Sequence, residues 1–364
     1  MRAIQACRTE ALGGQVHACP ACAALVYRYH SCRNRHCPKC QTLAKERWLA
    51  ARRAELLPVP YFHLVFTLPH EVNALAQGNP RLLYGLLFES VSATLAGFGQ
   101  NPHWLGGEIA ATLVLHTWGQ TLAQHLHLHC LVAGGALGEN GQWIYPSRGF
   151  LFPVRALSKV FRGKFLDRLN QAFHGGELRL AGSTAPLAQV PAQRAFLRAL
   201  HAKDWVVYAK RPFAGPQQVL DYLGRYTHRV AISNSRLLGC EQGQVRFRYH
   251  DYARGNRHKV MKLPATEFLR RFCLHVLPAG FMRIRHYGIL ANRNKGEKLA
   301  QARAALGVPP PQPQAAAPES LEAFWLRVAQ RDLRRCPHCD LGLLVPLATL
   351  PRPSRAWLRP PNPP

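Results

Sequence analysis

His125-Leu126-His127-Leu128-His129-Cys130-Leu131-Val132 sets three imidazoles two residues apart within an apolar run. Alternate residues of a strand share a face. As a strand, the stretch turns His125, His127 and His129 one way and Leu126, Leu128 and Cys130 the other. The leucines can then pack on a core while the imidazoles grip a cation. Working outward, Tyr61–Leu68, Ala110–His116, His127–Gly134, Asp204–Arg211 and Gln244–Tyr249 also read as short strands. Helical patterns lie near 80–98, 155–173, 191–201, 215–227 and 264–275. Strands outnumber tidy βαβ units, so the expected fold class is α+β, an antiparallel sheet with helices packed on it.

The chain has 364 residues, with 47 Lys+Arg against 19 Asp+Glu and a formal charge of +28. That length suits roughly 2–3 domains. A hydrophobic share of 48% supports real cores and excludes whole-chain disorder. No apolar run reaches the ~18 residues of a membrane span. The start, Met1-Arg2-Ala3-Ile4-Gln5-Ala6-Cys7-Arg8, has no apolar stretch of signal-peptide length. The expectation is a cytoplasmic, nucleoid-associated protein without a membrane partner. An excess of +28 calls for a polyanion, and nucleic acid fits, because each neutralised phosphate releases counterions.

Six of the eleven cysteines precede residue 41. Cys19-Pro-Ala-Cys22, fourteen residues, then Cys37-Pro-Lys-Cys40 approaches zinc-ribbon spacing. Four thiolates make a closed tetrahedral site, structural rather than catalytic. The expected set is therefore one Zn²⁺ on Cys19, Cys22, Cys37 and Cys40. His17, His30, Cys32 and His36 lie among them and can replace a ligand or hold a second ion. Arg33 and Arg35 sit in a loop where arginines interleave with aromatics, a pattern suited to DNA contact. Cys336-Pro-His-Cys339 supplies only two ligands: a partial site, a site borrowing His338, or an idle pair. The expected division is a cysteine module with exit helix over 1–57, a body over 58–306, a Pro/Ala-rich linker over 307–320, a helix plus CxxC over 321–350, and a disordered tail over 351–364.

A second element completes the chemistry. In Gly215-Pro-Gln-Gln-Val-Leu-Asp-Tyr222-Leu-Gly-Arg-Tyr226-Thr-His228, Pro216 suits a first helical turn. Tyr222 and Tyr226 then stand at i and i+4 on one face. Val219, Leu220 and Leu223 can form the core face, which frees the tyrosines for a groove. A phenol of pKa about 10 is a poor nucleophile at neutral pH. Its attack on a phosphodiester needs a cation to polarise the phosphate, which a histidine pair with an open coordination sphere supplies. The product is a phosphotyrosyl–DNA link and a free 3′-hydroxyl, and a second tyrosine permits a second cleavage or a strand swap. Arg225 and Arg229, four apart, can contact the scissile or flanking phosphate. Trp118, Trp143 and Trp205 can stack on bases or pack in the core.

With these elements the sequence resembles the rolling-circle, two-tyrosine HUH transposases of the insertion sequence ninety-one type, HUH denoting the His127-Leu128-His129 pattern. The resemblance spans nearly the whole chain. It is carried by Cys32-Arg-Asn-Arg-His-Cys-Pro-Lys-Cys-Gln41, Tyr61-Phe-His-Leu-Val-Phe-Thr-Leu-Pro69, His116-Thr-Trp-Gly-Gln120, Phe152-Pro-Val-Arg-Ala-Leu-Ser158, Tyr222-Leu-Gly-Arg-Tyr-Thr-His-Arg229 and Arg283-Ile-Arg-His-Tyr-Gly288. It implies an HUH-endonuclease-like sheet with His127 and His129 binding Mg²⁺ or Mn²⁺, Tyr222 and Tyr226 as nucleophiles, and the cysteine module as a zinc-binding domain that helps recognise element ends. The implied substrate is single-stranded DNA at those ends. The third metal ligand stays open among Gln120, His116, Gln124 and His125. Leu126 stands where the family usually has Pro, and the family usually carries more residues before the cysteine module, which implies a shortened N-terminus. Two other readings keep part of the pattern: a zinc-dependent nucleic-acid-binding remnant without catalysis, and a plasmid replication initiator or relaxase.

Overall fold

The computed structural model describes residues 2–147, 149–213, 218, 219, 224, 231–251, 255, 257–309 and 319–353. In chain order its strands are β1 (Gly14–Ala18), β2 (Leu25–Tyr29), β3 (Tyr61–Thr67), β4 (Glu108–Trp118), β5 (Gln124–Leu137), β6 (Trp143–Ile144), β7 (Val207–Phe213), β8 (Leu237–Glu241), β9 (Gln244–Asp251), β10 (Arg257–Pro264), β11 (Ile284–Gly288) and β12 (Val345–Leu350). The chain divides into two units, Met1–Ala44 with Pro311–Pro364, and Lys45–Pro310. The linker residues 310–318 and the tail from 354 onward lie outside the described residues.

The larger unit is built on a six-stranded sheet of order β11-β4-β5-β3-β7, with β6 pairing β5. Every pairing in it is antiparallel, as the strand-rich sequence predicts. β5 is the long central strand, and its alternation separates two surfaces. Phe62, Leu64, Phe66, Leu113, Leu115, Leu126, Leu128 and Cys130 join one core. That core is completed by the helices Pro80–Gln100 and Val154–His174, through residues such as Leu87, Val91, Leu95, Phe161 and Phe165. Phe66 and Phe161 meet edge-to-face at 5.3 Å, a favoured aromatic geometry. Pro80–Gln100, 21 residues, is long and apolar enough to cross a membrane by length and composition alone. Its apolar side chains, however, are spent on this core.

The opposite surface has a smaller core over part of its area. There Tyr61, Ala110, Val114, Leu131 and Ala133 pack with Leu57, Val219, Ile289, Leu299 and Ala302. The rest of that surface carries the histidines. A three-stranded meander, β8-β9-β10, follows, with Phe247 buried at its centre.

The expected strand at Asp204–Arg211 starts three residues later, at Val207. Trp205 is instead a buried anchor whose indole Nε1 donates to the Leu200 carbonyl at 2.9 Å. The exit helix expected at the end of the cysteine module runs Thr42–Arg53. Strands β1, β2, β8, β10, β11 and β12 carry little apolar alternation and were not anticipated. Apart from β1, which lies between β2 and β12, they are edge strands whose residues are mostly exposed or half-buried.

In the smaller unit, β1 pairs with β2 on one side and β12 on the other, both antiparallel. The sequence reading set the C-terminal segment apart from the N-terminal cysteines, but its strand and its CxxC lie in the same unit as they do. The helix Leu321–Ala329 is N-capped by Ser320, whose hydroxyl accepts from the Ala323 amide at 3.1 Å. Little apolar material is available here. The cluster around the second CxxC consists of Cys19, Cys336 and Leu344, with Ala24, Val26 and Cys339 against it.

Candidate metal centres and the histidine face

The register of β4 on β5 places His116 opposite His127. His116, His127 and His129 are buried, and their ring nitrogens converge within 4.8 Å of one another. The His127 and His129 Nε2 atoms are 3.1 Å apart. His127 donates through Nδ1–H to the His125 carbonyl at 2.9 Å, which leaves the Nε2 lone pair facing its neighbours. His129 Nδ1 lies 2.8 Å from His63 Nε2 on β3, and the two rings stack. This is how a metal-binding imidazole is oriented, with its far nitrogen fixed by a hydrogen bond.

Burial sets the charge state. It lowers His127 to about 3, with His125 adding to the effect, and it lowers His129 well below the ordinary value. Burial, with Lys210 nearby, lowers His63 to about 4. The rings are therefore neutral at physiological pH, the form a metal ion requires. A three-imidazole set leaves coordination positions open, which separates a catalytic site from a closed structural one.

Of the four candidates for a third ligand, only His116 joins the pair. Gln124 accepts from Gln77 at 2.7 Å. Gln120 Oε1 faces the His250 amide at 3.5 Å. His125 gives its carbonyl to His127, and their rings are tilted at 4.8 Å. Trp118 stacks on His116 at 4.4 Å and walls the cluster, whereas Trp143 and Trp205 are buried in the core. The sequence held one further signal that was not used: His63, in the quoted Tyr61–Pro69 motif, falls on the histidine surface by strand parity.

Tyr222, Tyr226, Arg225 and Arg229 lie outside the described residues. Three described residues flank or fall within that segment. Gln218, Val219 and Gly224 are helical, as the sequence predicts. Val219 is fully buried in the small core with Val114 and Leu131, on the same sheet surface as the histidines. A Cβ added at Gly224 would lie 2.8 Å from Leu49 Cδ1, so glycine permits close packing there.

The cysteine assignment is corrected. Cys19, Cys22, Cys37 and Cys40 do not form one site. Cys7, Cys32, Cys37 and Cys40 gather in one cluster, and Cys19, Cys22, Cys336 and Cys339 in another. The β1–β2 hairpin is the cause. Cys19 and Cys22 sit at its turn, whereas Cys7 precedes β1 and Cys32 follows β2 at the open end. β2 has five residues, so it carries the chain ~16 Å from the turn before Cys37 and Cys40 are reached. Each CxxC brings its own two sulfurs together, but the backbone path decides which pair completes the four. In the first cluster the Cys32 and Cys40 sulfurs are 3.8 Å apart, and the Cys32 amide donates to Cys7 Sγ at 3.5 Å. His17, His30, His36 and His338 enter neither cluster. Arg33 is exposed, at a positive φ of 52°, and Arg35 is half-buried.

With this geometry in view, comparison with known proteins identifies the class. Residues 110–298 match a family described as "Putative transposase". Residues 1–68 match a "Transposase zinc-binding domain". The chain is 50% identical over 362 residues, 98% of its length and 91% of the relative's, to "Putative transposase y4qJ" of Sinorhizobium fredii (strain NBRC 101917 / NGR234). It is 30% identical over 314 residues, 85% of its length and 73% of the relative's, to "Transposase for insertion sequence element IS801" of Pseudomonas savastanoi pv. phaseolicola. No solved structure matches. The chain belongs to the transposases of the insertion sequence ninety-one type and carries their N-terminal zinc-binding domain. That domain and the cysteine clusters support structural zinc.

Proposed function

We propose that this transposase nicks and rejoins single-stranded DNA at element ends by a rolling-circle mechanism, through a 5′-phosphotyrosyl intermediate, within an HUH-like sheet. The observation that carries the reading is the convergence of His116, His127 and His129 on one sheet surface. Neutral nitrogens and a fixed His127 tautomer fit the donor set to a divalent cation. Mg²⁺ or Mn²⁺ held there would polarise the scissile phosphate and stabilise its developing charge.

The chain's own residues do the rest. Tyr222 or Tyr226 attacks phosphorus through its phenolate oxygen. The Tyr O–P bond forms, the P–O3′ bond breaks, and the departing 3′-oxygen takes up a proton. The 5′-phosphate stays on the tyrosine until a 3′-hydroxyl displaces it, which rejoins a strand with no external energy source. Val219 supports this reading, because it lies three residues before Tyr222 in the chain and packs in the small core on the histidine-bearing sheet surface. Arg225 and Arg229 neutralise flanking phosphates, and Arg33 and Arg35 supply further backbone contact from the zinc-binding unit. The cytoplasmic nucleoid is the compartment where such a substrate occurs. One zinc on Cys7, Cys32, Cys37 and Cys40 stabilises the N-terminal unit.

The test is a denaturing-gel assay for covalent protein–DNA adducts. Labelled single strands covering the DNA that flanks the gene are incubated with Mg²⁺ or Mn²⁺. Wild type is expected to form an adduct that Tyr222→Phe/Tyr226→Phe and His127→Ala/His129→Ala lose. Tight DNA binding by wild type with no adduct in either metal would overturn the catalytic reading.

A further inference from the structure

The zinc-binding family match ends at residue 68, yet half of the second cysteine cluster comes from residues 336 and 339. We infer that Cys19, Cys22, Cys336 and Cys339 form a second structural zinc site, which the C-terminal segment completes. The inference does not need strand-transfer chemistry. It shares with the proposed function only the premise that these cysteines bind zinc.

Sulfur spacing is the first argument. Zinc–sulfur bonds of ~2.3 Å in a tetrahedron set sulfur–sulfur edges at about 3.8 Å. Cys19 and Cys339 sulfurs are 3.7 Å apart, and so are those of Cys22 and Cys336. A disulfide would bring two of them to about 2.0 Å. The edges observed are those of a metal tetrahedron.

The backbone around the sulfurs is the second. The His338 amide donates to Cys336 Sγ at 3.4 Å, and the Gly342 amide donates to Cys339 Sγ at 3.4 Å. Such donors stabilise sulfur as thiolate, the metal-binding form. The loop is closed by the Cys336 amide on the Gly342 carbonyl at 2.9 Å. A Cβ added at Gly342 would lie 2.3 Å from Cys19 Sγ. The C-terminal loop therefore approaches the N-terminal sulfur as closely as only glycine allows.

The third argument is what else holds the segment. The apolar cluster here is six residues, three of them cysteines. Leu341, Leu343 and Leu347 are largely exposed. A unit this poor in core needs a staple, and a metal is one of the few available.

Zinc is counted on the purified full-length chain by native mass spectrometry and elemental analysis. Two ions per wild-type chain are expected, one per Cys336→Ser/Cys339→Ser chain, and one per Cys32→Ser/Cys40→Ser chain. Gly342→Ala is expected to release one of its two ions to a chelator before the other. One ion in wild type, unaffected by Cys336→Ser/Cys339→Ser, overturns the inference and leaves the N-terminal site standing. The ion that Cys32→Ser/Cys40→Ser retains is expected to be the one on Cys19, Cys22, Cys336 and Cys339; no retained ion there would overturn the inference. Should the serine variants fail to fold, alkylation mapping on wild type decides the matter. Cys336 and Cys339 are expected to be protected together with Cys19 and Cys22 until a chelator is added. Ready alkylation of Cys336 and Cys339 in the zinc-loaded protein overturns the inference.

Discussion

The cysteine unit and the histidine-bearing sheet both gather side chains that could hold a metal ion, by opposite means. In the cysteine unit the ligands sit in loops, and in one cluster they come from positions more than three hundred residues apart. Apolar burial around them is slight. In the sheet the three histidines lie on two adjacent, hydrogen-bonded strands, and a large apolar core lies on the opposite face. The contrast suggests that the metal makes the first structure, whereas the second exists before the metal arrives. That fits structural zinc, whose binding is folding free energy, against a catalytic site that needs a rigid, preorganised frame.

The largest expected effect breaks the comparison most directly. Stripping zinc with a chelator removes a contribution on the order of 10–16 kcal/mol per structural site in small zinc modules. Hydrogen exchange should then rise throughout β1, β2 and β12 and stay slow in β3, β4 and β5. Equal protection of all six strands after chelation would refute the contrast.

A cavity in the large core comes next. Phe161 is fully buried against Phe66, Phe165 and Trp205. Phe161→Ala should cost about 3–5 kcal/mol in denaturant unfolding of the larger unit, with zinc content unchanged.

Acid tests the buried imidazoles. Burial lowers His275 to about 4; its ring nitrogens face Thr117 Oγ1 at 3.1 Å and the Leu122 carbonyl at 3.0 Å. The folded protein keeps this ring neutral, while the unfolded chain protonates it near pH 6.5, so the unfolded state binds more protons in acid. The contribution is fully present above about pH 6.5 and is lost as pH falls toward about 4. It amounts to about 3 kcal/mol at full depression. Unfolding followed across that window should show stability falling with pH, and less steeply in His275→Gln; identical slopes would remove His275 from the account.

The smallest effect sharpens the histidine side. His63 touches no metal in the proposed site but fixes His129 through the 2.8 Å nitrogen contact. His63→Ala should weaken Mn²⁺ binding, read by calorimetry, about 10–100-fold. Unchanged affinity would make His63 a packing residue only.

Much of the sheet framework was legible in the sequence because its signal is local. The period of two in His125–Cys130 assigned imidazoles and leucines to opposite faces, and in the folded chain Leu126, Leu128 and Cys130 join the large core while His127 and His129 do not. The helices expected near 80–98, 155–173 and 191–201 run Pro80–Gln100, Val154–His174 and Val190–His201. The cysteines show where such reading stops. CxxC spacing tells which two sulfurs share a turn, not which other pair they will meet. Cys7, with no partner at CxxC spacing, gave no local signal, and Cys336/Cys339 looked incomplete because their partners lie at the far end of the chain.

The sequence by itself therefore determined the class of protein, through charge, a paired-histidine pattern, a two-tyrosine pattern and thiol pairs. Each depends on residue type and on spacing within a few positions. The tertiary structure alone decided which side chains gather. His116 became the third imidazole because β4 pairs with β5 in one particular register. The eight thiols split into two groups of four because the β1–β2 hairpin separates its turn from its open end, and β12 returns beside β1. Coordination is a relation in space among distant segments, and strand register and chain return set that relation only once the whole chain has folded.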